Sequence, residues 1–485
     1  MKLEELLTGV DTVSFKGDLN IEINGIIYDS RKAKKGDLFI CVSGYKYDGH
    51  SYINDALQKG AAAFIVEKDV EVPGAAVVKV ENSRAVMPML ASNFYGNPSQ
   101  KLKLIGITGT NGKTTTTYLI KSIMEANKQK IGLLGTISTQ IGDKIYISSR
   151  TTPEALDLQC LFREMADSDV DYAVMEVSSH SLELGRVEGS NFRIGIFTNL
   201  TQDHLDFHKT IENYGNAKKK LFYMVSGTSI INIDDEHGKI IAAELKNNGK
   251  KLITYGIDNA ADIMAKNIDI TSKGVGFTVI TPEYEAELSI NIPGKFSVYN
   301  ALAAASAAYA EGLDRDVIRE GLSKVDNVPG RSEIIKTNTP YTVIIDYAHT
   351  PDGLQNILAS VKEYARGRII TLFGCGGDRD KEKRPIMGNI AGRMSDYCII
   401  TSDNPRTEEP MDIIMQIEAG IKSTGCDYIC IENRRDAIKF ALATAKPDDI
   451  VLLAGKGHET YQILRDRTIP FDERDIVEEL LREEV

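Results

Sequence analysis

A glycine-rich stretch that runs into lysine and threonine, "IGITGTNGKTTTTYLI", carries the clearest chemical signal in the sequence. An apolar run ends near Ile107, and a helical pattern opens at Lys113. Gly109 and Gly112 allow backbone N–H groups to approach phosphate oxygens closely, and the start of a helix adds positive potential. In such a loop Lys113 neutralises the β- and γ-phosphates of a nucleotide, and the Thr114 hydroxyl ligates Mg²⁺. The strict phosphate-loop pattern needs glycine where Ile107 stands, so the sequence predicts a variant of that loop.

Two polar residues follow other apolar runs. Glu176 closes "YAVMEV", and a carboxylate at a strand end beside a phosphate loop is a natural Mg²⁺ ligand. His204 follows "IGIFTNL", inside "TQDHLDFH". A lone histidine in such a place is more often structural than a ligand, so the residues alone leave its role open.

The stretch "TIENYGNAKKKLFYM" places Lys218 on the apolar side of a predicted helix. Tyr214, Leu221 and Phe222 recur at helical spacing, and position 218 falls on their stripe, whereas the next two lysines rotate away from it. A buried lysine costs free energy unless it is neutralised or paired. A neutral amine can react with CO₂ to give a carbamate, an anion that can help to bind Mg²⁺. The alternative is a lysine that reaches solvent from the edge of the stripe.

The stretch "TSDNPRTEEP" follows the apolar run that ends at Ile400. Asp403 and Pro405 are ordinary turn residues, because proline fixes φ and aspartate bonds the backbone ahead of it. The same turn would hold out Arg406, whose guanidinium can bind a carboxylate through two hydrogen bonds. The residues alone leave open whether this is only a turn or a binding loop.

Short apolar runs alternate with helical patterns through the middle and last parts of the chain, at residues 104–107, 172–175, 368–373 and 450–453. Such runs, buried on both sides and separated by helices, predict mostly parallel α/β sheets, which bind ligands beyond the carboxyl ends of their strands. Polar breaks at residues 95–103 and 326–333 divide the chain. We therefore predict three domains, at about 1–100, 101–330 and 331–485, of which the second is a P-loop-type ATPase domain with a mostly parallel sheet and the third is Rossmann-like.

The net charge, the cysteines and the length of the apolar runs limit the class of protein. A net charge of −12 and a pI near 5.3 argue against broad nucleic-acid binding. The six cysteines show no paired spacing, which is typical of reduced thiols in a cytoplasmic protein. No signal peptide is evident, and no apolar run approaches the ~20 residues of a membrane helix. We expect a cytoplasmic protein, not inserted in membranes, that acts as a monomer.

Motifs along essentially the whole chain resemble the Mur ligases, the ATP-dependent amide-forming enzymes of peptidoglycan precursor synthesis. "GTNGKTT" resembles their variant phosphate loop, and "YDSRKAKKGDLFICVSGYKYDGH" their N-terminal nucleotide-sugar domain. "MEVSSHSLELGR", "PGKFSVYNALAAA" and "GRSE" resemble central motifs, and "IDYAHTPDGL", "FGCGGDRDKEKRPIMG" and "LLAGKGHETYQ" resemble the last domain. Within the family, "DNPR" resembles the members that add meso-diaminopimelate rather than lysine as the third residue of the stem peptide.

The resemblance implies a reaction and a set of contacts. A substrate carboxylate would attack the γ-phosphoryl group of ATP, and an amine would then attack the resulting acyl phosphate and release phosphate. Positioning and charge neutralisation would carry most of the catalysis. The implied ATP contacts are Gly109, Thr110, Asn111, Gly112, Lys113, Thr114, Thr115, Asn300, Arg331 and Asp346. The implied catalytic residues are Lys113, Glu176, His204 and a carbamylated Lys218, and the implied Mg²⁺ ligands are Thr114, Glu176, His204 and Lys218.

The two other substrates would bind at separate places. UDP-N-acetylmuramoyl-L-alanyl-D-glutamate would contact Tyr28, Ser30, Tyr45, Lys46, Tyr47, Thr151, Thr152, Ser178 and Arg186. Diaminopimelate would contact Arg379, Asp403, Asn404, Pro405, Arg406, Gly455 and Glu459. Arg150 stands where some members have asparagine and Leu184 where some have glutamine, so the resemblance does not carry those two contacts over. Since Arg331 and Asp346 come from the third domain, ATP would bridge two domains, and closure would exclude water.

Other readings stay open at this stage. The same ligase could add L-lysine, and related ligases add D-alanyl-D-alanine or extend folate with glutamate. A P-loop regulatory switch or a nucleotide-driven binding module would explain the phosphate loop, but it leaves the first and last domains unexplained.

Overall fold

The computed structural model describes residues 1–44, 47–148 and 150–483. Three sheets follow one another along the chain, and each collects apolar runs that the sequence marks as strands. Within the described ranges no helix is both long and apolar enough to cross a membrane. The calls on Tyr45 and Lys46 lie outside the described residues.

The first sheet has five strands in the order β1-β5-β4-β3-β2, all parallel except β1, which is antiparallel to β5. Its strands are β1 (Ser14–Lys16), β2 (Gly25–Ile27), β3 (Asp37–Ile40), β4 (Ala63–Val66) and β5 (Ala76–Lys79). The helices α1 (Leu3–Leu6), α2 (Ile53–Gln58) and α3 (Ser83–Phe94) cover it, with short 3₁₀ turns at Ser30–Lys32, Gly49–Tyr52 and Pro98–Gln100.

The central sheet has eleven strands in the order β16-β15-β14-β13-β12-β11-β6-β10-β7-β8-β9. They are β6 (Lys103–Thr108), β7 (Ile131–Leu134), β8 (Ser138–Ile141), β9 (Lys144–Ile147), β10 (Tyr172–Glu176), β11 (Phe192–Phe197), β12 (Val225–Asn232), β13 (Leu252–Gly256), β14 (Ile263–Thr271), β15 (Gly274–Ile280) and β16 (Glu285–Ile290). The seven inner strands are parallel, as predicted, and β8–β9 and β15–β16 form antiparallel edges. The edges are antiparallel because short turns join their strands, with two residues between β8 and β9 and between β14 and β15 and four residues between β15 and β16, and such turns cannot return a chain in the parallel direction.

Helices on both faces bury the central sheet. They are α4 (Lys113–Ala126), α5 (Ala155–Asp167), α6 (Ser179–Glu183), α7 (Leu205–His208), α8 (Ile211–Tyr223), α9 (Glu236–Asn247), α10 (Lys295–Ala310) and α11 (Arg315–Ser323). The alanine-rich α10 is buried on nearly all sides, because its small side chains let it pack closely against α4 and the sheet. This packing fixes α4, and therefore the phosphate loop before it, against the middle of the sheet.

The C-terminal sheet has six strands in the order β17-β18-β22-β19-β20-β21, parallel except for β17. They are β17 (Glu333–Ile335), β18 (Thr342–Asp346), β19 (Ile369–Phe373), β20 (Tyr397–Ile400), β21 (Asp427–Cys430) and β22 (Ile450–Ala454), followed by the hairpin β23 (Tyr461–Ile463) and β24 (Thr468–Pro470). The helices are α12 (Pro351–Tyr364), α13 (Lys383–Met394), α14 (Pro410–Ile421), α15 (Arg434–Thr444) and α16 (Glu473–Glu483). The carboxyl ends of β18, β19, β20 and β22 lead into the loops that hold the predicted third-domain site residues.

Candidate active site

Both glycines of the loop between β6 and α4 are required by geometry. Gly109 has φ +150° and Gly112 has φ +85°. A Cβ on Gly109 would lie 1.8 Å from Thr198 Oγ1, and one on Gly112 would lie 2.4 Å from Asn300 Oδ1. The first N–H groups of α4, which begins at Lys113, have no partner within the helix. The loop thus offers phosphate oxygens the close backbone approach and positive helix end that they require.

We expect Gly112→Ala to weaken nucleotide binding by roughly tenfold or more, an energy of about 1.4 kcal/mol. The added Cβ must displace Asn300, and alanine at positive φ costs a further ~1 kcal/mol. Isothermal titration with ATP measures the effect. Gly142→Ala is the matched control, because Gly142 also has a positive φ, +57°, but has nothing within 4 Å of a Cβ. Unchanged ATP affinity in folded Gly112→Ala would contradict the assignment of the loop.

Two lysine amines meet at one carbonyl oxygen beneath the loop. Lys218 Nζ donates to Gly109 O at 2.7 Å, and Lys113 Nζ donates to the same oxygen at 2.9 Å. Lys218 is 1% exposed, as the apolar stripe predicts, and lies over the Tyr214 ring. Burial holds the pKa of Lys218 well below its usual value, and the neighbouring Lys113 lowers that pKa further. A neutral Lys218 amine is the form that reacts with CO₂.

Glu176 ends β10 directly beside the start of α4 and is 1% exposed. Its Oε1 accepts hydrogen bonds from Thr114 Oγ1 at 3.0 Å and from Thr136 N at 2.8 Å, and its Oε2 accepts from Thr136 Oγ1 at 3.0 Å. A buried carboxylate and a hydroxyl at a helix N-terminus are the hard oxygen donors that Mg²⁺ prefers. The pair therefore fits a cation that also contacts bound phosphates.

His204 and the residues of the phosphate loop line one cavity. His204 is exposed, has φ +53°, and its Nε2 is 3.4 Å from Asp203 Oδ2. Across the described ranges no set of three or more His, Cys, Asp and Glu side chains is arranged to hold a metal ion. A metal site here would therefore use the Thr114 hydroxyl and a modified Lys218 in addition to Glu176 and His204.

Residues from the C-terminal sheet reach the phosphate loop. Arg331 Nη2 donates to Thr114 Oγ1 at 3.3 Å. Asp352, in the first turn of α12, accepts from Asn111 Nδ2 at 2.9 Å and from Thr201 Oγ1 at 2.7 Å. Asp346 accepts from the backbone N–H groups of residues 332 and 348, at 2.7 and 2.8 Å. The parts of the chain before and after residue 330 thus meet at this loop, and Asp352 was missed although it opens a predictable helix after "YAHT".

A cavity of about 680 Å³ lies between the central and C-terminal sheets. Its lining includes the loop residues 110–115, Glu176, His204, Asn300, Arg331 and Asp346. Asn300, one of the implied ATP contacts, lines this cavity on the side of the phosphate loop, where Thr116 Oγ1 donates to its Oδ1 at 3.5 Å. Phe296, one turn before Asn300 on α10, and Tyr299, the residue directly before it, also line the cavity and were not predicted. Their rings offer the apolar surface that a nucleotide base requires.

A second, smaller cavity of about 120 Å³ lies between the first sheet and α5. Tyr28 lines it and donates from its hydroxyl to Asp157 Oδ2 at 2.6 Å. Burial, together with the bond to Asp157, raises the pKa of Tyr28. Ser30 is buried nearby in a 3₁₀ turn, whereas Tyr47 is exposed. Of the two described tyrosines predicted here, therefore, only Tyr28 lines this cavity.

Three arginines converge on Glu154 where the first and central sheets meet. Arg186 Nη2 lies 3.0 Å from Glu154 Oε1, Arg84 Nη1 lies 3.5 Å from Oε2, and Arg150 also contacts Oε1. Three guanidinium groups against one carboxylate leave an excess of positive charge that suits an acidic substrate group. Arg84 and Glu154 were missed, and no sequence motif marks them.

The predicted hydroxyl groups lie beside this cluster. Thr152 Oγ1 donates to Glu176 O at 2.8 Å and accepts from Ser178 N at 3.1 Å. Thr151 Oγ1 lies 3.1 Å from Thr136 Oγ1, which in turn bonds Glu176. Arg186 Nη1 donates to Thr152 O at 3.3 Å, so the arginine cluster contacts the threonine that bonds the backbone of Glu176.

Two arginines stand at the carboxyl edge of the C-terminal sheet. Arg379 is exposed, and its Nη1 donates to Asp378 O at 3.0 Å. Arg406 is half-buried, and its Nη1 donates to Gly377 O at 2.8 Å. Among residues 1–44, 47–148 and 150–483 neither guanidinium has a carboxylate partner. Both are therefore available to an anionic ligand.

The remaining predicted residues surround Lys456, which is fully buried. Lys456 Nζ lies 3.3 Å from Asn404 Oδ1 and 3.2 Å from Glu459 Oε2. Asn404 Oδ1 also accepts from Ile463 N at 2.9 Å, and Asn404 Nδ2 donates to Glu459 at 2.8 Å. Asn404, one of the implied diaminopimelate contacts, uses both ends of its amide for bonds within the protein. The hydrogen bond from Asn404 orients the Glu459 carboxylate. Gly455 lies close to another predicted residue, since a Cβ at that position would be 3.0 Å from the carboxylate of Asp403.

Three family models match different parts of this chain, and all three describe Mur ligases. Residues 22–95 match the Mur ligase family catalytic domain, residues 107–308 the Mur ligase middle domain, and residues 330–457 the Mur ligase glutamate ligase domain. A protein from Caldanaerobacter subterraneus is 53% identical over 484 residues, covering 100% of this chain and 99% of the relative. One from Clostridioides difficile is 50% identical over 481 residues, covering 99% of each. Both carry the name UDP-N-acetylmuramoyl-L-alanyl-D-glutamate–2,6-diaminopimelate ligase.

Solved structures agree with this comparison. A structure of a ligase of the same name matches with a TM-score of 0.72 and 32% identity, covering 100% of this chain and 99% of that one. MurF from Acinetobacter baumannii matches with a TM-score of 0.68 and 18% identity, covering 99% and 98%, which shows the shared fold.

Proposed function

The chain belongs to the Mur ligase family, and we propose that it joins meso-2,6-diaminopimelate to UDP-N-acetylmuramoyl-L-alanyl-D-glutamate with the consumption of ATP. The observation that carries this proposal is the pair Arg379 and Arg406, two guanidinium groups at one sheet edge with no carboxylate partner among the described residues. Diaminopimelate has a second amino-acid end whose carboxylate can occupy them, and lysine has none. We place the domain boundaries near residues 100 and 330, and we assign the protein to the cytoplasm as a monomer.

The first chemical step activates a carboxylate. A D-glutamate carboxylate oxygen bonds to the γ-phosphorus of ATP, the bond from that phosphorus to the bridging oxygen breaks, and ADP leaves with the electron pair. Lys113, Arg331 and the first N–H groups of α4 neutralise and orient the phosphates. Arg186, with Arg84 and Arg150, binds an acidic group of the nucleotide peptide. Because the C-terminal part closes over the loop through Asp352 and Arg331, water is kept from the acyl phosphate.

The second step forms the amide. The amine of diaminopimelate attacks the acyl carbon, the carbon–oxygen bond to phosphate breaks, and the nitrogen loses a proton. Arg379 and Arg406 hold the distal carboxylate, and Asp403 and Glu459 accept hydrogen bonds from ammonium groups. Mg²⁺, when bound, supplies neutralisation of phosphate charge, and Thr114, Glu176, His204 and a carbamylated Lys218 are the residues that would hold it.

A product assay tests the proposal. The protein is incubated with ATP, the nucleotide dipeptide, and equal amounts of meso-diaminopimelate and L-lysine. The products are identified and quantified by mass spectrometry. We expect the diaminopimelate adduct to dominate, and phosphate release to require both the nucleotide peptide and the amino acid. A dominant lysine adduct would favour the alternative ligase, and rapid ATP hydrolysis without co-substrates would favour a nucleotide-driven switch.

A further inference from the structure

Two loops at the carboxyl edge of the C-terminal sheet are joined directly to each other. Residues 374–382, after β19, carry Arg379, and residues 401–409, after β20, carry Arg406. Gly377 N donates to Asn404 O at 2.9 Å, and Thr407 Oγ1 donates to Asp378 Oδ1 at 2.6 Å. A Cβ on Gly377 would lie 1.9 Å from Pro405 O, so the two backbones are in contact. The position of one loop therefore depends on the other.

An ion pair between a buried arginine and a partly buried glutamate lies beneath this junction. Arg384, on α13, is 0% exposed and binds Glu408 through both carboxylate oxygens, at 3.0 Å from Nη1 and 2.9 Å from Nη2. Glu408 Oε1 also accepts from Asp378 N at 2.7 Å, and Arg384 Nη2 donates to Gly376 O at 3.3 Å. The Arg384 hydrogen bonds lower the pKa of Glu408 to about 2. The ion pair therefore connects both loops. It bonds residues 374–382 through Gly376 and Asp378, and Glu408 itself belongs to residues 401–409.

The backbone on either side of the pair is strained. Asp378 and Arg406 both have φ +53°, a region that residues other than glycine rarely occupy. Such conformations persist only where surrounding contacts hold them, and they concentrate at ligand-binding positions. A Cβ placed on Gly376 would lie 2.9 Å from Arg406 Nη1 and 3.8 Å from Arg379 Cγ. Arg379 and Arg406 therefore flank the same glycine, whose carbonyl oxygen accepts a hydrogen bond from Arg384.

We propose that Arg384 and Glu408 are positioning residues that set amino-acid specificity, because they hold Arg379 and Arg406 at the separation at which both close on one carboxylate. The inference rests on the proposed function and extends it to two residues that do not touch the substrate. A clamp of two guanidinium groups favours an amino acid with a distal carboxylate only while both groups reach that carboxylate together. If the two loops move apart, kcat/KM for diaminopimelate falls, because its distal carboxylate no longer meets both guanidinium groups. The kcat/KM for lysine changes little, because lysine has no distal carboxylate.

The test compares kcat/KM for diaminopimelate and for L-lysine in wild type, Arg384→Met and Glu408→Gln. Displacing a binding group by about 1 Å can cost on the order of 10²-fold, so we expect at least about a tenfold fall in the diaminopimelate-to-lysine ratio. The KM for diaminopimelate should rise, and the KM values for ATP and the nucleotide peptide should stay unchanged. Glu408→Gln is the milder variant, because its amide still accepts hydrogen bonds while the charge pair is lost.

Arg368→Met is the matched control. Arg368 forms an ion pair with Asp449 at 2.6 Å at the opposite end of the same sheet, so this variant should lower stability and leave the ratio unchanged. In an Arg406→Ala background, Arg384→Met should cause little further loss of the ratio, since half of the clamp is already gone. If the Arg384→Met and Glu408→Gln proteins fold and keep the wild-type ratio of kcat/KM for diaminopimelate to kcat/KM for lysine, the positioning role is wrong and the proposed function stands. Equal use of both amino acids by wild type would overturn the inference and the proposed specificity together.

Discussion

Replacing Lys218 with alanine should lower the rate of amide synthesis on the order of 10²–10³-fold, the usual loss when one preorganised charged group is removed from a reacting site. We propose that Lys218 carries a carbamate, formed when its neutral amine bonds to the carbon of CO₂ and releases a proton. Two ammonium groups beside Gly109 O would repel each other, whereas a carbamate would attract Lys113 and add an oxygen ligand for Mg²⁺. Labelled CO₂ with NMR detection of the carbamate, and steady-state rates of phosphate release, provide the measurements.

Rescue and a control make this prediction sharper. Short carboxylic acids such as formate should restore part of the activity of Lys218→Ala, because they can place an anion where the carbamate stood. Lys219→Ala, one residue along the same helix, removes only a surface ion pair with Glu244 and should keep wild-type activity. An active Lys218→Ala protein, or wild type that binds no labelled CO₂ and loses no activity when CO₂ is removed, would show that the lysine is not modified.

Arg406→Ala should lower kcat/KM for diaminopimelate by about 10- to 100-fold, which corresponds to the loss of ~1.5–3 kcal/mol from charged hydrogen bonds. Lysine turnover and ATP affinity should hardly change, because Arg406 does not line the cavity of about 680 Å³ beside the phosphate loop. The distal carboxylate of diaminopimelate would meet Arg379 alone. Rates with each amino acid and titration with ATP separate these effects.

Two variants bracket the Arg406 result. Arg406→Lys keeps the charge but cannot bind a carboxylate through two parallel hydrogen bonds, so it should fall between wild type and alanine. Arg393→Ala removes an exposed arginine in the last turn of α13, whose Nε donates to Asn389 Oδ1 at 2.9 Å, and it should preserve the preference for diaminopimelate. If Arg406→Ala lowered the rates with both amino acids equally, the loop would support the fold rather than select the substrate.

The sequence located the site elements well where a local pattern defines them. The helix predicted from Lys113 begins at that residue, and Glu176 does close its strand. The burial of Lys218 followed from the spacing of its apolar neighbours. Each of these features depends on residues within a few positions along the chain, so the local pattern contains the information.

Several interactions that the sequence did not predict join residues that are far apart along the chain. Glu154 collects Arg84 from 70 positions earlier, and Asp352 meets Asn111 across 241 positions. Asn404 illustrates the same limit, since its amide looked available in "DNPR" until Ile463 and Lys456 proved to occupy it. A sequence motif shows which side chains are present, but it does not show which hydrogen bonds those side chains already make within the protein.

By itself, the sequence determined that this protein has parallel α/β sheets, a variant phosphate loop, a buried lysine beside it and an arginine in a stiff turn. Only the tertiary structure decided that two lysines share Gly109 O, that Asn404 holds Glu459, and that Arg384 and Glu408 join the two arginine loops. The reason is physical. Strand and helix patterns arise from periodic burial of near neighbours, whereas a site is formed where the carboxyl ends of strands from different parts of the chain meet.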